Sequence, residues 1–254
     1  MPVAPRIERT YRVRFDEAGA DGHLRSSGFL RFAQDLARVH SDSAGFGRDW
    51  YRQRGLTWLA RSVELEIVDD VAYGDELNVS TEVIGFRRVW ARRRNEFRRR
   101  DTERVVAVAI TDWVLLNARG VPIRTPAEVL DEFAIGGTDF TPLRIELPAP
   151  ASVASVTGID FAPRLSELDP LGHVNNAAYL DYVDEHLAAI GRRADVRRRP
   201  RRYQGEFLAS AEAQMTLAGA GWDADRSWCY RLSADGRELF RGRFYGAAGS
   251  WVGG

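Results

Sequence analysis

The sequence predicts an α+β fold made of two similar halves, each a long helix against an antiparallel β-sheet. Two observations support this prediction. The segment from Tyr11 to Ala37 aligns without a gap on the segment from Phe161 to Leu187, at a constant shift of 150 residues. After each segment, apolar and β-branched stretches alternate with turn residues, as is typical of antiparallel strands. A repeat constrains the architecture more strongly than local propensity does.

Each aligned segment is predicted to contain a helix, because its apolar residues recur at spacings of three and four. These residues are Phe29, Leu30, Ala33, Leu36 and Ala37 in the first copy, and Tyr179, Leu180, Val183, Leu187 and Ile190 in the second. Ser26 and Ser27 precede the first helix, and Asn175 and Asn176 precede the second. Such side chains accept hydrogen bonds from the first-turn amides, so capping is the alternative to a functional role for Asn175.

The remaining strands are predicted from apolar stretches that turn residues separate. They are 56–68, 76–83, 89–97 and 105–116 in the first half, and 203–208, 213–217, 228–232 and 238–245 in the second. Residues 134–155 contain two adjacent glycines and several prolines without periodicity. We therefore predict an N-terminal domain over 1–133, a surface linker over 134–155 and a C-terminal domain over 156–254.

Composition and charge exclude several classes of function. The chain has 36 basic and 36 acidic residues, so no global charge favours nucleic acid. No apolar run is long enough for a membrane span, and the start lacks an apolar signal segment, which predicts a cytoplasmic protein. Cys229 is the only cysteine, and no Cys/His cluster has the spacing of metal ligands. We expect neither a metal ion nor another cofactor.

The segment LDPLGHVNNAAYLDYVDE, residues 168–185, resembles the signature of hot-dog acyl thioesterases. With its tandem halves, the whole chain resembles the plant-type and bacterial fatty acyl-[acyl carrier protein] thioesterases, and residues 107–129 are similar to a tryptophan-bearing strand of that family. The resemblance implies a double hot-dog fold and hydrolysis of a fatty acyl thioester carried by acyl carrier protein or coenzyme A. The two halves are expected to pair with each other as single hot-dog domains do in a dimer, and the sequence does not decide whether the whole chain also forms a homodimer.

The resemblance also implies a catalytic set in the second half. Asp169 and His173 match an Asp and a His in the loop that enters the helix, and Glu206 matches a Glu on a following strand. Two positions depart from the family. Leu171 stands where an Asn is usual, and Phe207 stands where the family has a Cys, which excludes a thiol nucleophile there.

The substrate is expected to contact Val174, Asn175 and Tyr179 at the start of the second helix. First-turn amides have no partner within a helix and lie at the positive end of its dipole. We therefore expect the amides near His173 and Val174 to bind the oxyanion that forms during hydrolysis. Asp169, or alternatively Glu206, is expected to activate water or to attack the carbonyl carbon directly, while His173 orients the reacting group or protonates the thiolate.

The repeat bears unequally on the two loop residues. Asp169 aligns with Gly19, so only the second copy has a carboxylate at this position, which favours catalysis over loop shaping. His173 aligns with His23, so a shared structural role remains the alternative for the histidine. For Glu206, the alternative is a solvated strand residue.

The chain contains no lysine, so its strongly basic side chains are all arginines. Two runs of arginine concentrate positive charge and are candidates for steering an anionic carrier. They cover residues 92–100 and 197–202, and the alternative for the first run is the solvent face of a hairpin. Two rival functions share the predicted fold. One is an acyl-thioester hydratase or dehydratase, and the other is a non-catalytic acyl-binding module, which Leu171 favours.

Overall fold

The computed structural model describes residues 6–133 and 138–246. The chain divides into two units, of which the first comprises Met1–Leu24, Gly28–Val63 and Val71–Leu143. The second comprises Arg25–Ser27, Glu64–Asp70 and Arg144–Gly254. The main division, after residue 143, falls inside the segment predicted as the linker. Two short pieces of the first half belong to the second unit, which the sequence did not predict.

The first half of the chain contains five strands and three helices. The strands are β1 (Arg6–Arg12), β2 (Thr57–Ile67), β3 (Glu76–Arg87), β4 (Trp90–Arg99) and β5 (Val105–Leu116), and the helices are α1 (Ser26–Ser43), α2 (Arg48–Arg54) and α3 (Ala127–Phe133). The strands follow the order β1-β3-β4-β5-β2, with antiparallel pairing from β1 through β5. Helix α1 packs its apolar side on this sheet, where the rings of Phe29 and Phe97 meet edge-on at 5.2 Å.

The second half repeats this arrangement with shorter elements. Its strands are β6 (Thr157–Phe161), β7 (Arg201–Phe207), β8 (Leu217–Ala224), β9 (Ser227–Ala234) and β10 (Arg237–Tyr245), and its helices are α4 (Ala178–Ala189) and α5 (Arg193–Arg197). The order β6-β8-β9-β10-β7 matches that of the first half, and all four pairings are antiparallel. The predicted α+β fold, with one long helix and one antiparallel sheet per half, is confirmed.

Helix α4 buries its apolar side on the second sheet through aromatic side chains. Tyr179 packs against Phe207 at 5.3 Å and Phe240 at 5.2 Å, and His186 packs against Trp228 at 5.1 Å. Side chains alternate between the two faces of a strand. The odd-numbered residues of β7 therefore face α4, and the even-numbered residues face away from it.

One predicted strand is wrong. Residues 213 and 214 form a turn and 215 and 216 are irregular, and the strand predicted over 213–217 lies instead at Leu217–Ala224. Alanine and glycine dominate β8, so its sequence has little β-propensity. The glycines make room for aromatic side chains of β9, since a Cβ on Gly221 would lie 2.0 Å from the Trp228 ring. Packing between strands, rather than local propensity, fixes β8.

The connection between the halves is anchored by buried carboxylates. In the first unit, Asp112 accepts a hydrogen bond from the Leu143 N–H at 2.9 Å and pairs with Arg92 at 2.7 Å. In the second, Glu206 accepts one from the Ile145 N–H at 3.0 Å. Residues 138–152 of the predicted linker form neither helix nor strand, and the backbone at Leu143 and Ile145 is held at fixed points.

Candidate functional site

A tight loop leads from β6 into helix α4 and contains both predicted loop residues. The Asp169 N–H donates to the His173 carbonyl at 2.8 Å, and the Gly172 N–H donates to the Asp169 carbonyl at 2.9 Å. Gly172 has a φ of 81°, in the left-handed region that favours glycine. The loop thus brings Asp169 and His173 together, as the sequence predicted.

The carboxylate of Asp169 has two different oxygens. Its Oδ1 accepts hydrogen bonds from the Leu171 N–H at 2.8 Å and the His173 N–H at 3.3 Å. Among residues 6–133 and 138–246, no group donates to Oδ2. One oxygen therefore shapes the loop, and the other is available to a substrate or a water molecule.

The amides that we expected to bind an oxyanion are engaged within the protein. The Val174 N–H donates to the Ala211 carbonyl at 2.8 Å, and the His173 N–H points to Asp169. Val174 is also only 3% exposed, which removes its side chain from the substrate-facing surface. Both N–H groups therefore already have partners, because the loop uses them to close on itself and on residue 211.

A neighbouring amide remains open. The Asn176 N–H makes no hydrogen bond with any described part of the chain, and it lies at the start of α4. Asn175 has a capping role, because its Oδ1 accepts a hydrogen bond from the Ala177 N–H at 2.9 Å. At this helix terminus it is therefore the Asn176 N–H, rather than the Val174 N–H, that has no partner within the described residues.

Tyr179 lies beneath this loop and is only 2% exposed. Its hydroxyl accepts a hydrogen bond from the Ala211 N–H at 3.1 Å, while the Ala211 carbonyl receives the Val174 N–H. Burial raises the pKa of Tyr179 to about 12, and the charge of Asp169 adds to the shift. Tyr179 thus holds the segment at 211 against the loop from below.

A second tyrosine of α4, Tyr182, was missed by the sequence reasoning. Its hydroxyl donates to Glu167 Oε2 at 2.7 Å, and burial followed by this hydrogen bond raises the pKa of Tyr182. The repeat contained a signal for both tyrosines. Phe29 and Phe32 occupy the matching positions in the first copy, so each hydroxyl is present in the second copy alone.

Glu206 does not join Asp169 and His173. It is an even-numbered residue of β7, whereas Phe207 on the same strand packs against Tyr179 of α4. Its carboxylate is 3% exposed and is occupied by Arg144 Nη1 at 2.7 Å and by the Ile145 N–H. The structure places Glu206 on the opposite face of the sheet, where it anchors the connecting segment. Its carboxylate is engaged by the connecting segment, and a catalytic role for Glu206 stays a prediction from the sequence.

His173 is half-buried beside a polar cleft of about 430 Å³. The cleft is lined by Gly172, Glu212, Ala213, Gln214, Met215, Thr216 and Asp235. His173 pairs with Glu212 through an isolated β-bridge, which fixes the backbone at the edge of the cleft. Leu171 is 61% exposed, and its side chain cannot supply the amide of the Asn that is usual at this position.

The first unit contains an apolar cluster against which the partly buried Trp58 packs. Trp58 donates its indole N–H to the Tyr51 hydroxyl at 3.0 Å. Phe29 of α1 is 1% exposed, packs on Phe97 and is part of the core.

Two further features of the described ranges bear on function. Over residues 6–133 and 138–246, no group of three or more His, Cys, Asp or Glu side chains is arranged to hold a metal ion. None of the helices there is both long and apolar enough to cross a membrane.

Comparison with known families agrees with the repeat. The model of the acyl-ACP thioesterase N-terminal domain matches residues 5–135, and that of the acyl-ACP thioesterase C-terminal domain matches residues 151–192. The chain is 25% identical over 195 residues to oleoyl-acyl carrier protein thioesterase 1, chloroplastic, from Arabidopsis thaliana. That match covers 69% of this chain and 53% of the plant protein, so the chain spans about half the length of this relative.

Solved structures share the fold. A protein from Lactobacillus plantarum assigned as an oleoyl thioesterase aligns with a TM-score of 0.80 at 14% identity, covering 95% of this chain and 96% of that one. The 12:0-ACP thioesterase from Umbellularia californica aligns with a TM-score of 0.76 at 20% identity, covering 95% and 97%. These similarities confirm the tandem hot-dog fold that the sequence predicted.

Proposed function

The chain belongs to the acyl-ACP thioesterase family, and on that premise we propose that it hydrolyses fatty acyl-acyl carrier protein to a free fatty acid and a carrier thiol. The observation that carries the proposal is the asymmetric carboxylate of Asp169. Two backbone amides hold its Oδ1, while within the described part of the chain neither its Oδ2 nor the Asn176 N–H, seven residues further along, has a hydrogen-bond partner. A base and an oxyanion donor therefore lie within one short loop.

The proposed reaction uses Asp169 as a general base. Oδ2 removes a proton from water, and the resulting hydroxide adds to the thioester carbonyl carbon. Negative charge then develops on the carbonyl oxygen, which the Asn176 N–H stabilises by about 3 kcal/mol, a typical value for one such donor. The carbon–sulfur bond breaks, and the thiolate takes a proton from His173. In the alternative route Oδ2 attacks the carbonyl carbon, the thiolate leaves with a proton from His173, and His173 then takes a proton from the water that hydrolyses the anhydride and frees Asp169.

Asn175 and Tyr179 support this site from its margins. Asn175 caps the start of α4, and Tyr179 fixes the segment at 211, so both act on the substrate by placing the loop. Acyl carrier protein is the carrier that we propose; coenzyme A and a homodimer remain sequence-based expectations. The Arabidopsis relative is named as chloroplastic, and the cytoplasmic location of this chain likewise rests on the sequence alone.

The test is a thiol-release assay with saturated acyl-acyl carrier protein, comparing the wild type with Asp169→Asn. Asparagine keeps an oxygen that can accept the two amide hydrogen bonds, so the loop is retained while the charge is removed. We expect kcat to fall roughly 10²-fold or more, as for loss of a general base. No thiol release by the wild type would overturn the proposed function, and unchanged kcat in the variant would overturn the role of Asp169.

Two matched variants sharpen the result. Asp21→Asn changes the carboxylate that accepts the His23 N–H at 3.2 Å in the first copy of the loop, and should leave kcat unchanged. Glu206→Gln should also leave kcat unchanged while lowering stability by about 1 kcal/mol, because Arg144 loses a charged partner. A large loss of kcat in Glu206→Gln, without unfolding, would return Glu206 to the catalytic set.

A further inference from the structure

The arginines that are clustered in the sequence are largely neutralised in the structure. In the run at 92–100, Arg92 pairs with Asp112, Arg94 and Arg98 pair with Glu96, Arg99 pairs with Asp75, and Arg100 pairs with Glu76, all at 2.5–2.7 Å. Arg93 is buried and contacts His40 and Thr81, both at 3.0 Å. This run therefore offers little uncompensated positive charge to a partner.

The second run, at 197–202, is compensated in the same way. Arg199 pairs with Asp70, Arg202 pairs with Glu64, and Arg198 lies 3.7 Å from Asp195. Arg201 is only 4% exposed and donates to the Ser26 hydroxyl. Because their charges are largely compensated, neither run is favoured as a docking surface, although both are conspicuous in the sequence.

Uncompensated arginines lie elsewhere in the first unit. Arg88, Arg119 and Arg124 are exposed, and across the described residues none of them forms an ion pair or a side-chain hydrogen bond. Arg88 lies in the β3–β4 turn with a φ of 58°, a left-handed value that is uncommon for arginine. Arg119 and Arg124 lie in the loop that follows β5.

Backbone hydrogen bonds join these two segments at one end of the first sheet. The Thr125 N–H donates to the Arg88 carbonyl at 3.2 Å, which places Arg124 beside the β3–β4 turn. The loop is closed by the Asn117 side chain, whose Oδ1 accepts from the Arg119 N–H at 2.9 Å. The three guanidinium groups therefore extend from backbones that are fixed relative to one another.

Helix α2 brings a further arginine to the same end, although this one has an acidic partner. Its C-terminal Gly55 lies against the loop, since a Cβ there would come within 3.1 Å of the Ala118 Cβ. Arg54, the preceding residue, reaches Glu128 at 3.6 Å, and this glutamate side chain is 52% exposed. Residues 117–124 contain no acidic residue. We define the arginine end as Arg54, Arg88, Arg119 and Arg124.

We propose that the arginine end docks the acidic surface of the acyl carrier protein, an inference that rests on the proposed function. The guanidinium groups of Arg88, Arg119 and Arg124 have no partner among the described residues, so carboxylates on the acyl carrier protein can pair with them without breaking any ion pair seen there. Exposed charges of this kind accelerate association more than they strengthen the bound complex. Docking at the arginine end thus raises kcat/KM for the protein-bound substrate.

The test compares one acyl chain on three carriers: acyl carrier protein, coenzyme A and pantetheine. The variant is the triple reversal Arg88→Glu, Arg119→Glu and Arg124→Glu in the full chain. We expect kcat/KM for the acyl carrier protein substrate to fall roughly ten-fold or more at low salt, in line with electrostatic steering. Added salt should reduce the wild-type value towards that of the variant. The values for acyl-pantetheine should not change.

A matched control reverses Arg193, Arg226 and Arg237, which are also exposed and have no ion pair within the described ranges. Arg226 occupies the β8–β9 turn, which corresponds to the turn of Arg88, with a φ of 60°. This control should hydrolyse acyl carrier protein substrate at the wild-type rate. Three outcomes overturn docking at the arginine end: unchanged kcat/KM in the Arg88 variant, an equal loss in the control, or an equal loss with acyl-coenzyme A. Wild-type activity on acyl-pantetheine shows separately that the hydrolase function holds.

Discussion

The loop before α1 and the loop before α4 have the same backbone design but different chemistry. Three hydrogen bonds recur at a shift of 150 residues. Gly19 N–H donates to His23 O, and Asp169 N–H to His173 O, both at 2.8 Å; Gly22 N–H donates to Gly19 O, and Gly172 N–H to Asp169 O, both at 2.9 Å. The Arg14 N–H donates to the Glu17 carboxylate, and the Arg164 N–H to the Glu167 carboxylate, both at 2.9 Å. The shared pattern shows that the first loop adopts this conformation without a carboxylate at position 19.

The second copy adds functional groups to this scaffold. It has the Asp169 carboxylate and the Tyr179 hydroxyl where the first copy has Gly19 and Phe29. The first copy nevertheless has a loop-shaping carboxylate. Asp21 accepts a hydrogen bond from the His23 N–H, as Asp169 does from the His173 N–H. Loop shaping therefore occurs in both copies, and what distinguishes Asp169 is a carboxylate at that position whose Oδ2 accepts no hydrogen bond from the described residues. The comparison teaches that a repeated fold can carry chemistry in one copy alone.

The largest effect expected from this comparison concerns the two histidines. His173→Gln should lower kcat roughly 10²-fold, because the proposed proton donor to the thiolate is lost. His23→Gln, at the matching position, should leave kcat within about two-fold of wild type, since the first loop has Gly19 in place of the proposed base Asp169. Steady-state thiol release measures both. Equal losses in the two variants would indicate a shared structural role and would remove His173 from the mechanism.

A smaller effect is expected from Tyr179→Phe, which copies the first-half residue Phe29. The Ala211 N–H then loses its acceptor, and the segment that receives the Val174 N–H is less firmly placed. We expect kcat to fall roughly ten-fold, because small displacements of catalytic groups are costly. The acyl-substrate KM should stay near the wild-type value.

Tyr182→Phe is the matched control, because it copies Phe32 and removes the hydrogen bond to Glu167. It should lower stability by about 1 kcal/mol without changing kcat. Urea unfolding and thiol release separate the two effects. Equal activity of wild type and Tyr179→Phe would show that the contact with Ala211 is dispensable for catalysis.

The smallest effect at neutral pH is expected from His186→Leu, which copies Leu36 of the first half. Burial lowers the pKa of His186 from 6.5 to about 4, so the folded protein binds fewer protons than the unfolded chain between these values. Its contribution to stability is therefore present above about pH 6.5 and is lost as the pH falls towards 4. The variant should lose less stability on acidification, by about 1–3 kcal/mol.

Urea unfolding at pH 7 and pH 5 measures this difference. Asp184, whose pKa is raised to about 6 chiefly by burial, titrates in both proteins, so the difference between wild type and variant isolates His186. Parallel pH dependences in the two proteins would contradict the assignment.

The sequence by itself determined the repeat, the fold class and the loop that joins Asp169 to His173. These features depend on local patterns, namely apolar spacing, turn glycines and a constant alignment shift, that tertiary packing did not override. The missed strand β8 shows the limit. Its Gly219 and Gly221 are small because aromatic rings of β9 lie over them, a reason that exists only after the strands have paired.

Tertiary structure alone decided which polar groups are free. Glu206 is on a predicted strand, but the face that it occupies and its pairing with Arg144 depend on a segment 62 residues away in the chain. The arginine runs are conspicuous in the sequence and paired in the structure, whereas Arg88, Arg119 and Arg124 are dispersed in the sequence and lie together at one end of a sheet. The physical reason is that charge compensation and open hydrogen-bonding atoms are properties of distances, and folding sets those distances.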